Sequence, residues 1–333
     1  MDLVSIGYFR ELAHDLNMTR TAGRLFVSQQ TLSNHIRRLE DYFGAPLLHR
    51  RPSLALTDAG VEVLAFAEKL GRQEANLRDA LAEIAEGERG QLRIGAAPVR
   101  GNALLPLMVP PFARSHPRVE IVFRAGITSV VTAMVLRGEI DLGIVLEGEF
   151  SAELASERLY GEQVVLCVPE SLLVQHYSPD QVRQLKARAP DGLGLADLAR
   201  LPFSVMTNQL GQRMAGCFQR AGVEPHIAFT GSATTETIPL AMAGLAACYC
   251  TQTALIPVDS PLEGMNVFPL LDGGQPIVQD LYLIRHQERV LPGYAREFVD
   301  SLRGTAATVE RTHPLSIVEA RAGAGQAEGS DLR

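Results

Sequence analysis

Residues 19–51 read TRTAGRLFVSQQTLSNHIRRLEDYFGAPLLHRR, and their pattern decides the fold of the N-terminal end. The stretch divides into a short helix, a tight turn at Phe26-Val27, a second helix opened by Ser28, and a basic strand-turn after Gly44. In the second helix Leu32, Ile36 and Leu39 stand at i, i+4 and i+7, which turns one face to a core. Gln30, Asn34, Arg37 and Arg38 occupy the opposite face, with Gln29 in the exposed first turn. Amides and guanidiniums on the outer face of a short helix pair with base edges and phosphates. The pattern implies a helix-turn-helix that reads duplex DNA.

The flanks complete a small domain over residues 1–57. Leu3, Ile6, Phe9, Leu12, Ala13 and Leu16 form a helical stripe that Asn17 ends. Thr19 is placed to cap the next helix, whose Ala22, Leu25 and Phe26 are expected to pack inward. Ser28 caps the third helix and Gly44 closes it. The run Leu47 to Leu56 reads as a hairpin wing with Arg50 and Arg51 at its tip. His35 leans toward the buried stripe and reads as packing.

From Asp58 to about residue 88 the period changes. Val63, Phe66, Leu70, Gln73, Leu77, Ala80 and Ile84 step by three and four, a seam of about three heptads. A thin helix cannot bury such a seam against its own short head. A second copy of the chain is the expected mate, the alternative being the next domain of the same chain.

Residues 91–304 alternate strands and helices, with strands at 92–97, 119–123, 141–145, 164–168, 203–206, 227–229, 246–250 and 281–285. Continuous apolar strands alternating with helices imply a parallel sheet covered on both faces. Two such α/β halves, with the chain crossing between them near residues 160 and 270, imply a hinged cleft. The polar stretch from Ser171 to Ala196 reads as a surface excursion. Residues 305–333 lack aromatics, end in AGAGQAEGSDLR and read as a disordered tail.

Composition narrows the classes. The chain has 333 residues, 46% of them hydrophobic, and a net charge of −7. Residues 1–57 hold seven arginines against five acids, a balance of +2, which leaves −9 on the rest. A mildly basic head on an acidic body suits docking through one end. No apolar run reaches the ~18 residues of a membrane helix, and the N-terminus has no signal-peptide pattern, so a cytoplasmic protein without membrane contact is expected. Cys167, Cys217, Cys248 and Cys250 read as buried reduced thiols, and Cys248-Tyr249-Cys250 is too tight for a zinc motif; a redox role for Cys248 or Cys250 is left open. The body carries no GxGxxG, P-loop, GxSxG or metal-spaced His/Cys set. Asp141 and Glu236 stand alone and make no acid–base pair. No catalysis, metal or cofactor is expected.

Over residues 2–304 the chain resembles the LysR-type transcriptional regulators. The head carries the match through Ala22, Leu25, Val27-Ser28-Gln29, Leu32-Ser33, Ile36, Leu39-Glu40, Gly44, Leu47-Leu48, Arg50 and Leu56-Thr57-Asp58-Ala59-Gly60. The body adds Leu92-Arg93-Ile94-Gly95, Leu105-Pro106, His116-Pro117, Arg137-Gly138-Glu139-Ile140-Asp141-Leu142 and Ala243-Gly244-Leu245. The chain departs from the family at Gln30, where proline is usual, and at Asn34, where a basic or polar residue is frequent. The resemblance implies a winged helix-turn-helix, a long linker helix and a two-lobed, periplasmic-binding-protein-like effector domain. It further implies a homodimer or homotetramer on double-stranded promoter DNA, a small effector that changes the angle between heads, and contact with RNA polymerase. A solute-binding protein without a DNA role is the rival reading, and the head opposes it.

Candidate residues follow at both ends. Gln29, Gln30, Ser33 and Asn34 are expected at base edges. Ser28, Thr31, Arg37, Arg38, Arg50 and Arg51 are expected at phosphates, which position the head without reading sequence; Arg37 and Arg38 have a rival role as a solvated face paired with Glu40 or Asp41. In the cleft, ligands sit outside the carboxyl ends of strands and near helix starts. This selects Val99, Arg100, Thr128, Ser129, Thr207, Asn208 and Thr234, with plain helix capping as the alternative for the threonines. Ala97 and Pro98 stand where the family often has a hydroxyl, so the effector is an organic acid or a more apolar, aromatic metabolite. Arg100 either supplies a charge there or is solvated.

Overall fold

The computed structural model describes residues 2–51, 53–86, 89–256 and 264–318. The head is built from α1 (Leu3–Asp15), α2 (Met18–Arg24) and α3 (Gln29–Phe43), followed by a two-stranded wing, β1 (Leu48–His49) and β2 (Ala55–Leu56). Side chains close the helix starts: Asp2 accepts from the Ser5 amide, Asn17 from Arg20 and Ser28 from Thr31. The second cap is therefore Asn17, ahead of the expected Thr19. Gly44 ends α3 in the left-handed region at φ 68°, where a side chain is strained. Ile6, Phe9, Leu12, Ala22, Leu32, Ile36, Leu39 and Leu47 form the head's core. Leu3 and Leu16, assigned to the stripe from sequence, are exposed at its ends.

Phe26 departs from expectation. It sits in the turn before α3 at φ 56° and is 95% exposed, so it does not pack inward. A left-handed residue with a Cβ costs about 1–2 kcal/mol, and that backbone swings its ring out of the core that Leu25 and Val27 join.

The long helix α4 (Asp58–Glu86) leaves the head with Val63 and Ala67 in the head core. Phe66, Gln73, Leu77 and Ala80 of the expected seam are exposed, together with Leu81, and Leu70 is half-buried. The side chain of Ile84, like Met1, Pro52, Gly87 and Glu88, lies outside the described residues. On its other side α4 meets the body through Arg72 and Asn76.

The body opens with β3 (Gly90–Ala96), α5 (Pro98–Ser115), β4 (Val119–Ala125), α6 (Thr128–Leu136) and β5 (Leu142–Leu146). The strand β6 (Leu154–Pro169), 16 residues long, then crosses to a second lobe. That lobe holds α7 (Glu170–His176), α8 (Pro179–Arg188), β7 (Leu193–Gly194), β8 (Pro202–Met206), α9 (Gln209–Arg220), β9 (His226–Gly231), α10 (Thr234–Met242), β10 (Ala247–Thr251), β11 (Met265–Asp272) and β12 (Gln275–Pro276). The chain returns through β13 (Val278–His286) and continues into α11 (Gly293–Arg311). The sheet order is β4-β3-β5-β13-β6-β10-β8-β9. Parallel pairs β4-β3-β5 and β10-β8-β9 lie on either side of β13 and β6, which run antiparallel to their neighbours. Along β6 the partner changes from β13 at Gln163 to β10 at Val164, which marks the crossover between lobes.

Two further sequence expectations are corrected. Residues 171–196 are no surface excursion: α7 and α8 bury Leu172, Leu173, Val182 and Leu185 in the second lobe's core. Their polar content masked apolar residues at helical spacing. Over residues 305–318 the expected disorder does not hold, since α11 runs on to Arg311 with Ala306 and Val309 buried and helix covers 314–318. Leu302, Ala306 and Val309 continue the i, i+4, i+7 pattern without needing an aromatic. Residues 319–333 lie outside the described residues. In the first lobe α5 starts at Pro98, whose fixed φ suits the first helical position.

Candidate DNA-reading head and effector cleft

At the DNA end, the buried stripe of α3 turns Gln29, Gln30, Asn34, Arg37 and Arg38 to solvent, with Ser33 half-buried beside them. The Gln30 amide nitrogen donates to Asn34 Oδ1 at 3.0 Å. Ser28 and Thr31 bond through their hydroxyls at 2.8 Å and remain exposed. Glu40 is occupied by the wing: one oxygen accepts from the Leu47 amide at 3.0 Å and the other lies 3.4 Å from Arg50. The rival role of Arg37 and Arg38 as partners of Glu40 thus falls to Arg50. Arg51 stands exposed next to it. Between α3 and the wing runs a groove of about 510 Å³ lined by Gln29, Gln30, Ser33 and Arg50. His35 packs as expected, with its ring nitrogen 2.7 Å from the Ser5 hydroxyl and its ring edge-on to Tyr8.

At the other end a cleft of about 790 Å³ lies between the lobes. Val99, Arg100, Thr128, Ser129, Asn208 and Thr234 all line it, so six of the seven residues selected from sequence converge. Thr207 does not line it; its amide and hydroxyl both turn to the Gly231 carbonyl. Asn208 caps α9 and also holds the Ser232 carbonyl at 3.0 Å, tying two cleft loops together. The capping role weighed for Thr128 and Thr234 is not theirs. The caps of α6 and α10 are Ile127 and Ala233, which have no side-chain oxygen, and the same holds for Ala97 before α5. Three helix starts without side-chain caps therefore face one cavity, and a helix start carries a partial positive charge; at α10 the Glu236 carboxylate, which accepts from the Ser232 amide and hydroxyl, opposes it. The Thr128 hydroxyl accepts from the Leu146 amide at 3.2 Å, which leaves its proton free to donate.

Arg100 is neither solvated nor a free charge. It is 7% exposed and paired with the fully buried Glu162 of β6. Arg100 Nε and Glu162 Oε2 have no hydrogen-bond partner. The floor of the cleft is thus electrically balanced, while its walls are largely apolar: Pro98, Val99, Ile127, Ala133, Leu136, Leu146, Phe150 and Leu210. Sequence reading missed Phe150, Thr132, Thr251 and Gln279 in this lining. Gln279 sits on the returning strand β13, and Thr251 ends β10 where it pairs with Val164 of the crossover strand β6; no local pattern reveals either pairing.

A polar cluster joins the cleft's first lobe to α4. Arg72, buried on α4, donates to the Leu136 carbonyl at the end of α6 at 3.1 Å and meets Glu288 at 3.5 Å. Asn76 bonds the Glu288 carbonyl and accepts from Arg289, which in turn reaches Asp141 at 2.8 Å. Burial alone would raise the Asp141 carboxyl, but the hydrogen bonds and charge of Arg93 and the charge of Arg289 outweigh it and hold it low. Among the described residues no group of His, Cys, Asp and Glu is arranged to hold a metal. The four cysteines are free and buried; Cys167 and Cys250 sulfurs lie 3.8 Å apart. Among the described residues no helix is long and apolar enough to cross a membrane.

Two family profiles match the chain: "Bacterial regulatory helix-turn-helix protein, lysR family" over residues 3–61 and "LysR substrate binding domain" over residues 85–307. The Hca operon transcriptional activator HcaR of Escherichia coli K12 is 30% identical over 246 residues, covering 74% of this chain and 80% of the relative. A probable RuBisCO transcriptional regulator of Trieres chinensis is 32% identical over 174 residues, 51% of this chain; the match spans about half of that relative's length, 56%. Similar folds include CbnR, a LysR family transcriptional regulator, at TM-score 0.60 and 22% identity over 92% of this chain and 99% of that one. A full-length, cysteine-to-aspartate variant of OxyR from Pseudomonas aeruginosa reaches TM-score 0.65 at 20% identity, covering 92% and 94%.

Proposed function

We propose that this chain, which belongs to the LysR family of bacterial transcriptional regulators, reads promoter DNA with α3 and is switched by an organic acid or aromatic metabolite seated between its lobes. The observation that carries the first part is the division of α3 into a fully buried apolar face and an exposed amide and arginine face beside a basic wing. Gln29, Gln30, Ser33 and Asn34 meet base edges, while Ser28, Thr31, Arg37, Arg38, Arg50 and Arg51 meet phosphates. The units are a head over residues 1–57, a dimerising linker over 58–88, and a body from 91 that extends past 304. The protein works in the cytoplasm as a homodimer or homotetramer, contacts RNA polymerase from its promoter site, and catalyses no reaction.

The cleft supports an effector with an oxygen-bearing head and an apolar body. The head binds at the helix starts of Val99, Thr128-Ser129 and Thr234, where backbone N–H groups favour negative charge. The body lies against Val99, Leu136 and Phe150. The first turn of α6 lines the cleft and its last carbonyl is held by Arg72 of the linker helix, so a shift of α6 on binding reaches α4 directly. Arg72→Ala is expected to keep DNA affinity within a few fold of wild type and to lose the effector's influence on it. A full effector response in that variant would overturn this route.

The test of the whole reading is a gel shift on the DNA upstream of the protein's own coding region, across a salt series. Specific binding at physiological salt is expected. Arg50→Ala should weaken binding to every sequence alike and flatten the slope of log affinity against log salt by about 0.9 for each phosphate no longer neutralised. Absence of specific binding, with tight metabolite binding retained, would establish the solute-binding alternative instead.

A further inference from the structure

Gln30 and Asn34 lie one turn apart on the exposed face of α3, joined by the 3.0 Å hydrogen bond from the Gln30 amide nitrogen to Asn34 Oδ1. A free glutamine or asparagine can turn its amide either way, and so offers donor or acceptor to whatever base edge it meets. The bond between them couples the two choices, because one amide must accept where the other donates. With its nitrogen turned to Asn34, Gln30 presents its carbonyl oxygen outward; with its oxygen occupied, Asn34 presents its NH₂. A proline at position 30 would have no such amide, so the pair is a property of this chain's Gln30.

We infer that Gln30 and Asn34 act as one composite reader that specifies two neighbouring base pairs jointly, an amino-bearing base opposite Gln30 and an acceptor edge opposite Asn34. In the major groove the amino groups are those of adenine N6 and cytosine N4, and the acceptors are purine N7, guanine O6 and thymine O4. The inference rests on the reading of α3 as the DNA-facing helix. It adds that the two positions are correlated: a change at one residue alters what the other accepts.

The test is selection of binding sites from a randomised duplex library by the full-length wild type and by Q30A, N34A, Q30A/N34A and Q30E. Both residues are exposed, so folding is expected to survive; circular dichroism checks this. Each single alanine variant should lose preference at the same two adjacent positions by roughly tenfold to a hundredfold, and the double variant should lose little more. Q30E gives the sharper outcome. A carboxylate only accepts, so Asn34 must turn its NH₂ toward the introduced carboxylate and its oxygen outward. The base opposite Asn34 should then switch from an acceptor edge to adenine or cytosine. Alanine variants that relax separate positions independently, or a Q30E variant whose preference opposite Asn34 is unchanged, would overturn the composite reader. If wild type enriches no sequence, the DNA-reading role of α3 itself falls, and the pair with it.

Discussion

Replacing Leu77 and Leu81 together with aspartate is expected to convert an oligomer into monomers and to weaken operator binding at least a hundredfold. The two leucines are 59% and 54% exposed on α4, and Phe66 is exposed earlier on the same helix. At 29 residues the helix is roughly 43 Å long, far more than the head can cover. Its other side is already occupied, by Val63 and Ala67 in the head core and by Arg72 and Asn76 against the body. A second α4 is the surface that matches an apolar stripe with a three-four step. Burying each leucine contributes about 1.5–3 kcal/mol, and a two-fold dimer buries four of them. The double variant forfeits that gain and sets four carboxylates against one another. Because both side chains are exposed within the chain, the monomer should fold. Operator binding suffers further because two linked heads bind with an avidity that one head lacks. Analytical ultracentrifugation with a gel shift on the same samples checks this; a variant that stays dimeric at micromolar concentration would place the interface elsewhere.

The head was legible almost to the residue because its signals are local. Ser28, Gly44 and the Leu32-Ile36-Leu39 stripe act within one helix, and the structure places each as the spacing predicts. Phe26 escaped because a left-handed non-glycine residue leaves no mark in the pattern. In the body most strands and helices were found by period, though α7, α8 and β11 were not, and the strand partners were not. That Glu162 would meet Arg100, 62 residues earlier, follows from where β6 crosses between lobes, and only the assembled sheet fixes that. Cleft residues at helix starts were therefore predictable, and those placed by strand pairing at the crossover, Thr251 on β10 and Gln279 on β13, were not. The seam of α4 shows the same division: its period was visible, but sequence alone left open which positions belong to the head, to the body and to a second copy.

Arg100→Met is expected to destabilise the body by about 3–5 kcal/mol, the usual cost of removing one partner from a buried ion pair. Glu162 has no solvent exposure, and its second oxygen lacks a hydrogen bond even with Arg100 present. Without the guanidinium, a buried carboxylate would stand uncompensated at the crossover between lobes. The loss should reverse in Arg100→Met with Glu162→Gln. That pair exchanges two charges for a thioether and an amide of similar volume, and replacing both members of a buried pair is often neutral or stabilising. Glu162→Gln alone leaves a buried guanidinium without its anion and should fall with the first variant. Denaturant unfolding of the three variants beside wild type forms a double-mutant cycle. An Arg100→Met protein that unfolds at the wild-type midpoint would show that Glu162 finds water or another partner in the cleft, and that its floor is wetter than the packing indicates. If the cycle closes as expected, the double variant also isolates the cleft's electrostatics. Its floor would carry no charge of either sign, so any remaining preference for an anionic effector would have to come from the helix starts at Val99, Thr128 and Thr234.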